Sequence, residues 1–303
     1  MAAPGTALVL RMFACMTTCT AHTRGLGGRG PVPRSGPGRS VLALLAALLL
    51  AAPTAGRAQE GDSLPDTTSL HTATGDVLPA VTQPFRAGES LRFSVQYGFI
   101  HAGSAWLEVP EVTEWQGHRV WRLVARAKSN RFIDGLYKVR TDIESLWDHS
   151  GHFSHRYIEH RLERHEDIND TTTFEADSLR MRDQKGRLYP VPGPLQDALS
   201  SFYKTRFLAL PVGGRVPFNY FASRRTSLLE VRVLGRETVN TPAGKFNCVV
   251  IEPLLKAGGI FSNKGRLVIW LTDDARRMPV LMKSKVAIGS IKVVLQEYRT
   301  GSE

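Results

Sequence analysis

Five histidines fall within the seventeen residues HSGHFSHRYIEHRLERH, from His149 to His165. Histidine nitrogens are common ligands of Zn²⁺, so a metal site is the chemistry that this segment suggests first. The segment also reads as a strand, in which His155 and His165 share a face but lie roughly 33 Å apart. His149 and His152 come from a turn and approach His155 only if the chain doubles back. Three interspersed arginines oppose a bound cation, and we therefore predict a solvated strand face rather than a metal site.

A second set of polar residues lies in the segment DALSSFYKTR, where spacings of three and four residues predict a helix. Asp197 and Ser200 come first, and Tyr203 and Arg206 follow. Arg206 is suited to pairing with an acidic group or an anionic ligand beside Tyr203. The alternative is that Arg206 caps the helix end and Asp197 complements the dipole at its N-terminus. These four are candidate ligand-binding residues.

Motifs of the familiar enzyme classes are absent from the sequence. There is no H-E-x-x-H, no G-x-S-x-G, no P-loop, and no C-x-x-C after residue 58. Cys248, in KFNCVVIEP, alternates with Phe246 and Val250 as a core residue would. We therefore predict no catalytic residue, no metal and no cofactor.

The N-terminal segment has the pattern of an export signal. The apolar run VLALLAALLLAA, Val41–Ala52, follows Arg39 and is shorter than the roughly 18 residues of a membrane span. Small residues two apart end at Ala58, the spacing that signal peptidase accepts. We therefore predict a leader over residues 1–58, with the signal core at 39–58 and cleavage near Ala58. The mature protein is then periplasmic or secreted and has no transmembrane span.

The formal charge of +11 overstates how basic the mature chain is. Six arginines and no acidic residues lie in the leader, which leaves 33 basic and 28 acidic residues, a net charge of +5. This mild excess favours anionic surfaces such as lipid headgroups and argues against nucleic acid as a partner. Cys248 is the sole cysteine after the leader, so the mature chain has no internal disulfide and depends on its core.

The mature chain reads as a series of strands. Residues 59–83 are small, polar and turn-rich and predict a flexible linker. Runs such as ESLRFSVQY then alternate apolar and polar residues, the period of a half-buried strand. About a dozen such runs and one helix near residues 194–208 predict a mainly β domain, 84–300, of antiparallel curved sheets, half-barrel or sandwich-like. The helix offers a boundary between two sub-lobes, about 84–190 and 209–300.

Trp270 lies in a strand, GRLVIWLTD, that is apolar on both faces. A strand of this kind must be covered on both sides, by protein or by a ligand. Trp270 is therefore predicted to lie in the core or on a cavity wall, and it joins the candidate ligand-binding residues.

Four stretches together resemble one family of exported bacterial proteins, the domain of unknown function 3108 family. They are FRAGESLRFSVQYGFIHAGSAWLEV, DALSSFYKTRFLALPVGGRV, VLGRETVNTPAGKFNCVVIEP and GRLVIWLTDDARRMPVLMKSKVAIGSI, which follow the family's order from Phe85 to Tyr298. The resemblance implies an exported, β-rich envelope protein and supplies no catalytic residues. The last stretch is also similar to the closing strands of curved half-barrel lipoprotein carriers, a likeness of fold that does not establish function.

Together these features favour an exported cell-envelope protein that is not an enzyme. It would bind an apolar or lipid-like ligand through its aromatic-rich strands, or pack against an envelope partner; the aromatic residues serve equally well as core. The alternative is a periplasmic hydrolase that uses Asp197, Ser200 or a histidine. A deep apolar cavity favours the first function, and a cleft with convergent Asp, Ser and His side chains favours the second.

Overall fold

The computed structural model describes residues 77–78, 80–164, 166–222, 225–257, 260–261, 266–285 and 289–302. The predicted leader and most of the predicted linker lie outside these residues. The described strands are β1 (Val77–Leu78), β2 (Glu89–Tyr97), β3 (Ile100–Trp115), β4 (His118–Ser129), β5 (Val139–Asp148), β6 (Ser154–Glu163), β7 (Glu166–Glu175), β8 (Arg180–Asp183), β9 (Leu188–Pro190), β10 (Leu210–Pro211), β11 (Arg215–Ala222), β12 (Arg225–Thr241), β13 (Gly244–Ala257), β14 (Ile260–Phe261), β15 (Leu267–Thr272), β16 (Pro279–Lys285) and β17 (Ser290–Arg299). Two helices accompany them, α1 (Arg131–Tyr137) and α2 (Ala198–Phe207).

Fifteen of the described strands form one antiparallel sheet, in the order β11-β12-β13-β15-β16-β17-β2-β3-β4-β5-β6-β7-β8-β9, with β14 paired to β13. Neighbours in the sheet are mostly neighbours in the chain, as hairpin connections require. The main exception is β17, which pairs with β2 from Ile291↔Tyr97 to Arg299↔Ser90 and so joins the two halves of the chain. The predicted mainly β, antiparallel fold is confirmed.

Helix α2 lies inside the curve of this sheet. Nine of its ten residues are buried, as expected of a helix that is covered all round. On one side Asp197, which precedes the helix, is bonded to Ser145 of β5. On the other, Gln196 forms a bridge with Tyr220 of β11. Because β5 and β11 lie far apart in the strand order, the sheet must bend around the helix to reach both, which is the curved-sheet geometry predicted from the sequence.

The start of α2 is fixed by the side chain of Asp197. Its Oδ1 accepts hydrogen bonds from the backbone N–H groups of Leu199 and Ser200, both at 2.8 Å. In return the Asp197 N–H donates to Ser200 Oγ at 2.8 Å, which completes a capping box. The predicted helix near 194–208 is confirmed and begins at Ala198.

Helix α1 differs from the sequence prediction, in which the helix near residues 194–208 is the only one. The Asn130 side chain caps this helix by accepting a hydrogen bond from the Ile133 N–H at 2.9 Å, and β5 begins only at Val139. Seven residues are too few for the helical period to stand out in a sequence. Ile133 and Tyr137 pack against the core. No helix within the described residues is long and apolar enough to cross a membrane.

The end of the segment predicted as a linker contacts the domain. Val77–Leu78 pairs with Leu210–Pro211, and the Val81 N–H donates to the Phe207 carbonyl at 3.1 Å. Phe85 follows and is 3% exposed, with its ring edge-on to that of Phe207 at 5.5 Å between centroids. The domain's core therefore begins with Phe85.

Candidate functional site

Asp197 and Ser200 are both buried, and their polar atoms bond to neighbouring protein groups. Besides capping α2, Asp197 accepts a hydrogen bond from Ser145 Oγ at 2.6 Å through its Oδ2. Ser200 Oγ shares a hydrogen bond of 2.7 Å with Ser154 Oγ. Burial raises the pKa of Asp197, and hydrogen bonds from Ser145 and from backbone N–H groups offset part of that rise. The geometry gives both residues a structural role at the helix start, while a ligand role remains a prediction.

Arg206 is fully buried and paired with an acidic residue of the same chain. Its Nη1 and Nη2 donate to Oε1 and Oε2 of Glu89 at 2.6 and 2.8 Å, a bidentate ion pair. Nη2 also donates to the carbonyls of Pro84 and Arg276, at 3.1 and 2.9 Å. Burial acts to lower the pKa of Arg206, but Glu89 raises it above its ordinary value, so the guanidinium stays charged. The first alternative raised by the sequence, pairing with an acidic group, is the arrangement found.

The two aromatic candidates are also fully buried. Tyr203 donates from its hydroxyl to the Glu108 carbonyl at 3.4 Å. Trp270 donates from Nε1 to Glu237 Oε2 at 2.7 Å, and the Lys283 ammonium lies over its ring at 5.3 Å. The predicted burial of Trp270 is therefore confirmed, while contact with a ligand remains a prediction.

A small apolar cleft lies between α2 and the strands β12, β13 and β15. Phe202 and Thr205 line it from the helix, and Leu229, Ile251 and Ile269 are among the residues that line it from the sheet. Its internal volume is about 10 Å³, room for about one water molecule. A lipid chain does not fit this cleft unless the side chains move.

Two histidines of the run pack against tryptophans. His149 stacks on Trp121 and His152 on Trp147, with ring centroids 4.8 and 4.9 Å apart. Burial lowers the pKa of both histidines, which favours the neutral imidazole. These two residues therefore serve as packing groups, and His165 lies outside the described residues.

His155 is 4% exposed, so the prediction of a solvated strand face is wrong at this position. The β5–β6 ladder shifts register between Leu146 and Trp147, which breaks the two-residue alternation on which that prediction depends. His155 Nε2 lies 3.0 Å from Asp148 Oδ2, and His118 Nδ1 lies 4.0 Å from the same oxygen.

The carboxylate of Asp148 is held in place by its own turn. Its Oδ1 accepts hydrogen bonds from the N–H groups of Ser150 and Gly151 at 3.0 and 2.5 Å. Burial acts to raise the pKa of Asp148, but the hydrogen bonds from His155 and from these N–H groups lower it below its ordinary value. The second oxygen, Oδ2, is directed at the two histidines.

Four large apolar side chains are exposed at one end of the sheet. Phe99 and Ile100 lie at the β2–β3 turn and are 96% and 51% exposed. Phe132 and Leu136, one turn apart on α1, are 77% and 76% exposed. Asn130, which caps α1, donates its N–H to the Ala102 carbonyl of β3 at 2.9 Å, so the helix and the β2–β3 turn are neighbours. We call Phe99, Ile100, Phe132 and Leu136 the apolar rim.

Basic residues flank the apolar rim. Arg131 begins α1 and Lys138 follows it, and both are exposed. Arg164, exposed in the β6–β7 turn, donates its N–H to the Lys138 carbonyl at 2.8 Å. Asp134, the acidic residue of α1, is paired with Arg140 at 2.6 Å. Three exposed basic side chains therefore lie next to the apolar rim.

Sequence reasoning missed both the rim and the partners of His155. Phe99 and Ile100 follow Gly98 in QYGFIHAG, and an apolar pair directly after a turn glycine is a signal that could have found the rim. His118 and Asp148 carried no such signal, because only the pairing of three strands brings them to His155.

Comparison with solved structures supports the fold. A β-barrel-like protein of the domain of unknown function DUF1849 from Brucella abortus matches with a TM-score of 0.53 and 10% identity, over 74% of this chain and 100% of that chain. A candidate exported protein with a YmcC-like fold from Bacteroides fragilis matches with a TM-score of 0.30 and 13% identity, over 73% of this chain and 100% of that chain. A candidate lipoprotein from Parabacteroides distasonis matches with a TM-score of 0.29 and 11% identity, over 73% of this chain and 99% of that chain. At such identities the first likeness shows a shared fold alone, and the other two are too distant to support an inference.

No curated protein matches this sequence. The family model described as Protein of unknown function (DUF3108) matches residues 92–296, which include α1, α2 and most of the sheet. The resemblance seen in the four sequence stretches is thereby confirmed, and the chain belongs to the DUF3108 family.

Proposed function

We propose that this protein is exported to the cell envelope and binds a lipid surface there through the apolar rim. The observation that carries the proposal is the exposure of Phe99, Ile100, Phe132 and Leu136 together at one end of the sheet. Single exposed apolar residues are ordinary on soluble proteins, whereas a group of them beside polar residues marks an interaction site.

Helix α1 has apolar residues on two sides. Ile133 and Tyr137 face the core, while Phe132 and Leu136 face outward. Core packing alone requires only the first pair. The second pair, at a spacing of four residues, forms a ridge that suits shallow insertion into the boundary between headgroups and acyl chains.

The charges beside the apolar rim suit an anionic lipid surface. Arg131, Lys138 and Arg164 each contribute about 1 kcal/mol when close to such a surface. Glu166, exposed at the start of β7, lies two residues from Arg164 and offsets part of this charge. Insertion of an apolar side chain contributes at most about 1.5–3 kcal/mol. Contributions of this size give reversible, salt-dependent binding rather than a permanent anchor.

The cleft beside α2 supports this function less well. The cleft beside α2 has room for about one water molecule, so the described structure offers no space for a lipid there. For the alternative, a hydrolase, Asp197 and Ser200 are engaged in the helix cap and are 2% and 0% exposed. The apolar rim is therefore better supported than either the cleft or the Asp197–Ser200 pair.

Vesicle co-sedimentation tests the proposal. Purified protein should bind vesicles of phosphatidylcholine mixed with phosphatidylglycerol more tightly than vesicles of phosphatidylcholine alone, and added salt should weaken the binding. The double variant Phe132→Ser/Leu136→Ser should bind at least about tenfold more weakly, the equivalent of about 1.4 kcal/mol.

The matched control is Leu179→Ser/Leu188→Ser, since these leucines are also exposed, at 47% and 43%, but lie in the β7–β8–β9 region. The control should bind vesicles like the unaltered protein. Absence of vesicle binding, or equal loss in both double variants, would overturn the proposal.

A further inference from the structure

The pairing of β4, β5 and β6 brings together three side chains that suit a metal ion. His118 begins β4, Asp148 ends β5, and His155 is the second residue of β6. One nitrogen of each histidine and one oxygen of Asp148 lie within 4.8 Å of one another. The two imidazole rings are 4.6 Å apart between centroids.

We propose that His118, Asp148 and His155 form a binding site for a divalent transition metal ion, with Zn²⁺ the best match. Two imidazoles and a carboxylate are a ligand set that Zn²⁺ takes in three-ligand sites with an open fourth position. The same set of two histidines and one carboxylate also binds Fe²⁺. The His118 side chain is 47% exposed, so solvent reaches the set at that ligand.

The distances fit with little movement. Ligand atoms around a tetrahedral Zn²⁺ lie about 3.3 Å from one another, given bonds of about 2.0–2.1 Å. The separations of 3.0 Å from Asp148 to His155 and 4.0 Å from Asp148 to His118 lie on either side of that value. His118 is the half-exposed member of the set, and its side chain must move closer to Asp148 to close the set around an ion.

The surroundings of Asp148 are those of a fixed ligand. The N–H groups of Ser150 and Gly151 hold its Oδ1 and leave Oδ2 for the ion. Hydrogen bonds of this kind orient the carboxylate ligands of metal sites. Phe153 packs against His155 with ring centroids 4.9 Å apart, which limits the movement of that imidazole.

The arginines of the histidine run oppose a cation less than their sequence positions suggest. Arg161 lies between Glu159 and Glu163, at 3.4 and 3.5 Å. Arg164 follows the far end of β6, about 30 Å along the strand from His155. The guanidinium of Arg156 lies over the Trp115 ring at 5.0 Å.

The proposed metal site is independent of the apolar rim. His118 and Ser129 stand at opposite ends of β4, about 36 Å apart along the strand, and α1 follows the Ser129 end. Failure of lipid binding therefore leaves the metal site untouched, and the reverse is also true.

Titration of the metal-free protein with zinc chloride tests the site. Protein dialysed against EDTA should bind one Zn²⁺ per chain, and Zn²⁺ should raise the melting temperature. His118→Gln, a change at a half-exposed position, should leave the fold intact and weaken binding by about 100-fold or more, beyond the loss typical of an outer-shell change. Asp148→Asn and His155→Gln should have the same effect.

His160→Gln is the matched control, because His160 pairs with Asp167 at 3.1 Å in the same run but has no second histidine beside it within the described residues. This variant should bind Zn²⁺ as the unaltered protein does. Circular dichroism shows whether each variant is folded. No binding by the unaltered protein, or unchanged binding in folded His118→Gln, overturns the proposal.

Discussion

Glu89 and Arg206, 117 residues apart in the sequence, form a bidentate ion pair in the core. Glu89 begins β2 and is 4% exposed, while Arg206 lies in α2 with no exposed surface. The guanidinium also lies over the ring of Phe85 at 5.0 Å. This pair joins the first long strand of the domain to the helix around which the sheet bends.

Removing one partner of this pair should destabilise the protein strongly. Arg206→Met leaves the Glu89 carboxylate buried without its charge partner, a change that costs about 3–5 kcal/mol. The double variant Glu89→Leu/Arg206→Met should recover part of that loss, because it removes both charges of the pair. Urea unfolding measures both. Arg92→Ala, at the exposed pair with Glu297, is the control and should cost about 1 kcal/mol or less. Equal stability of Arg206→Met and the unaltered protein would contradict the structural role.

Truncation of Trp270 should also be costly. Its side chain is fully buried and hydrogen-bonded to Glu237, so Trp270→Ala should lower the free energy of unfolding by about 3–5 kcal/mol. Trp270→Phe keeps most of the packing and should cost less. Trp115→Ala, at a partly exposed tryptophan, provides the comparison in the same urea experiment. A loss at Trp270 no larger than that at Trp115 would show that the indole is not part of the core.

The thiol of Cys248 should react slowly in the folded protein. Burial raises the pKa of this thiol to about 12, so the reactive thiolate is scarce at neutral pH. The measurement is the rate of reaction with Ellman's reagent, in a chain with Cys15 and Cys19 replaced by Ser. Denaturant should speed the reaction by orders of magnitude. Rapid reaction without denaturant would mean that the strand opens readily.

Acid should weaken the contacts of α1. The hydrogen bond from Arg140, followed by that from Ser129, lowers the pKa of Asp134 from 3.8 to about 2. The pKa of Asp134 is lower in the folded protein than in the unfolded chain. Its carboxylate therefore stabilises the fold fully at a pH above the unfolded pKa, and this contribution is lost as the pH falls towards 2. Asp134→Asn should therefore be less stable than the unaltered protein at neutral pH, and the difference should vanish as the pH approaches about 2. Asp142→Asn, at an exposed carboxylate of the neighbouring strand β5, is the matched control for loss of a surface charge. A difference for Asp134→Asn that persists in acid would contradict the assignment.

Export should remove the leader. We expect the mature chain to begin at Gln59, because the apolar run of Val41–Ala52 precedes a small-x-small site that ends at Ala58. N-terminal sequencing of protein recovered from the cell envelope decides this. Ala58→Asp should slow the processing. Recovery from the cytoplasm of an intact chain that begins upstream of Val41 would contradict the proposed location.

The sequence by itself determined the local features of this protein. Strands such as β2 were predicted because the alternation of side chains between two faces is a property of neighbouring residues. The same holds for the helix near residues 194–208, which was predicted from spacings of three and four residues along the chain. The burial of Trp270 was also predicted from its own strand, because a strand that is apolar on both faces has no face suited to solvent.

Only the tertiary structure decided which distant residues meet. Helix α1 has seven residues, too few for a period to be recognised, and its exposed Phe132 and Leu136 become a surface only beside the β2–β3 turn. His118, Asp148 and His155 come together through the register of three strands and a bulge, and a shift of one residue would turn each side chain to the other face. Strand register depends on the packing of the whole sheet around α2, so no pattern within a short segment can encode it.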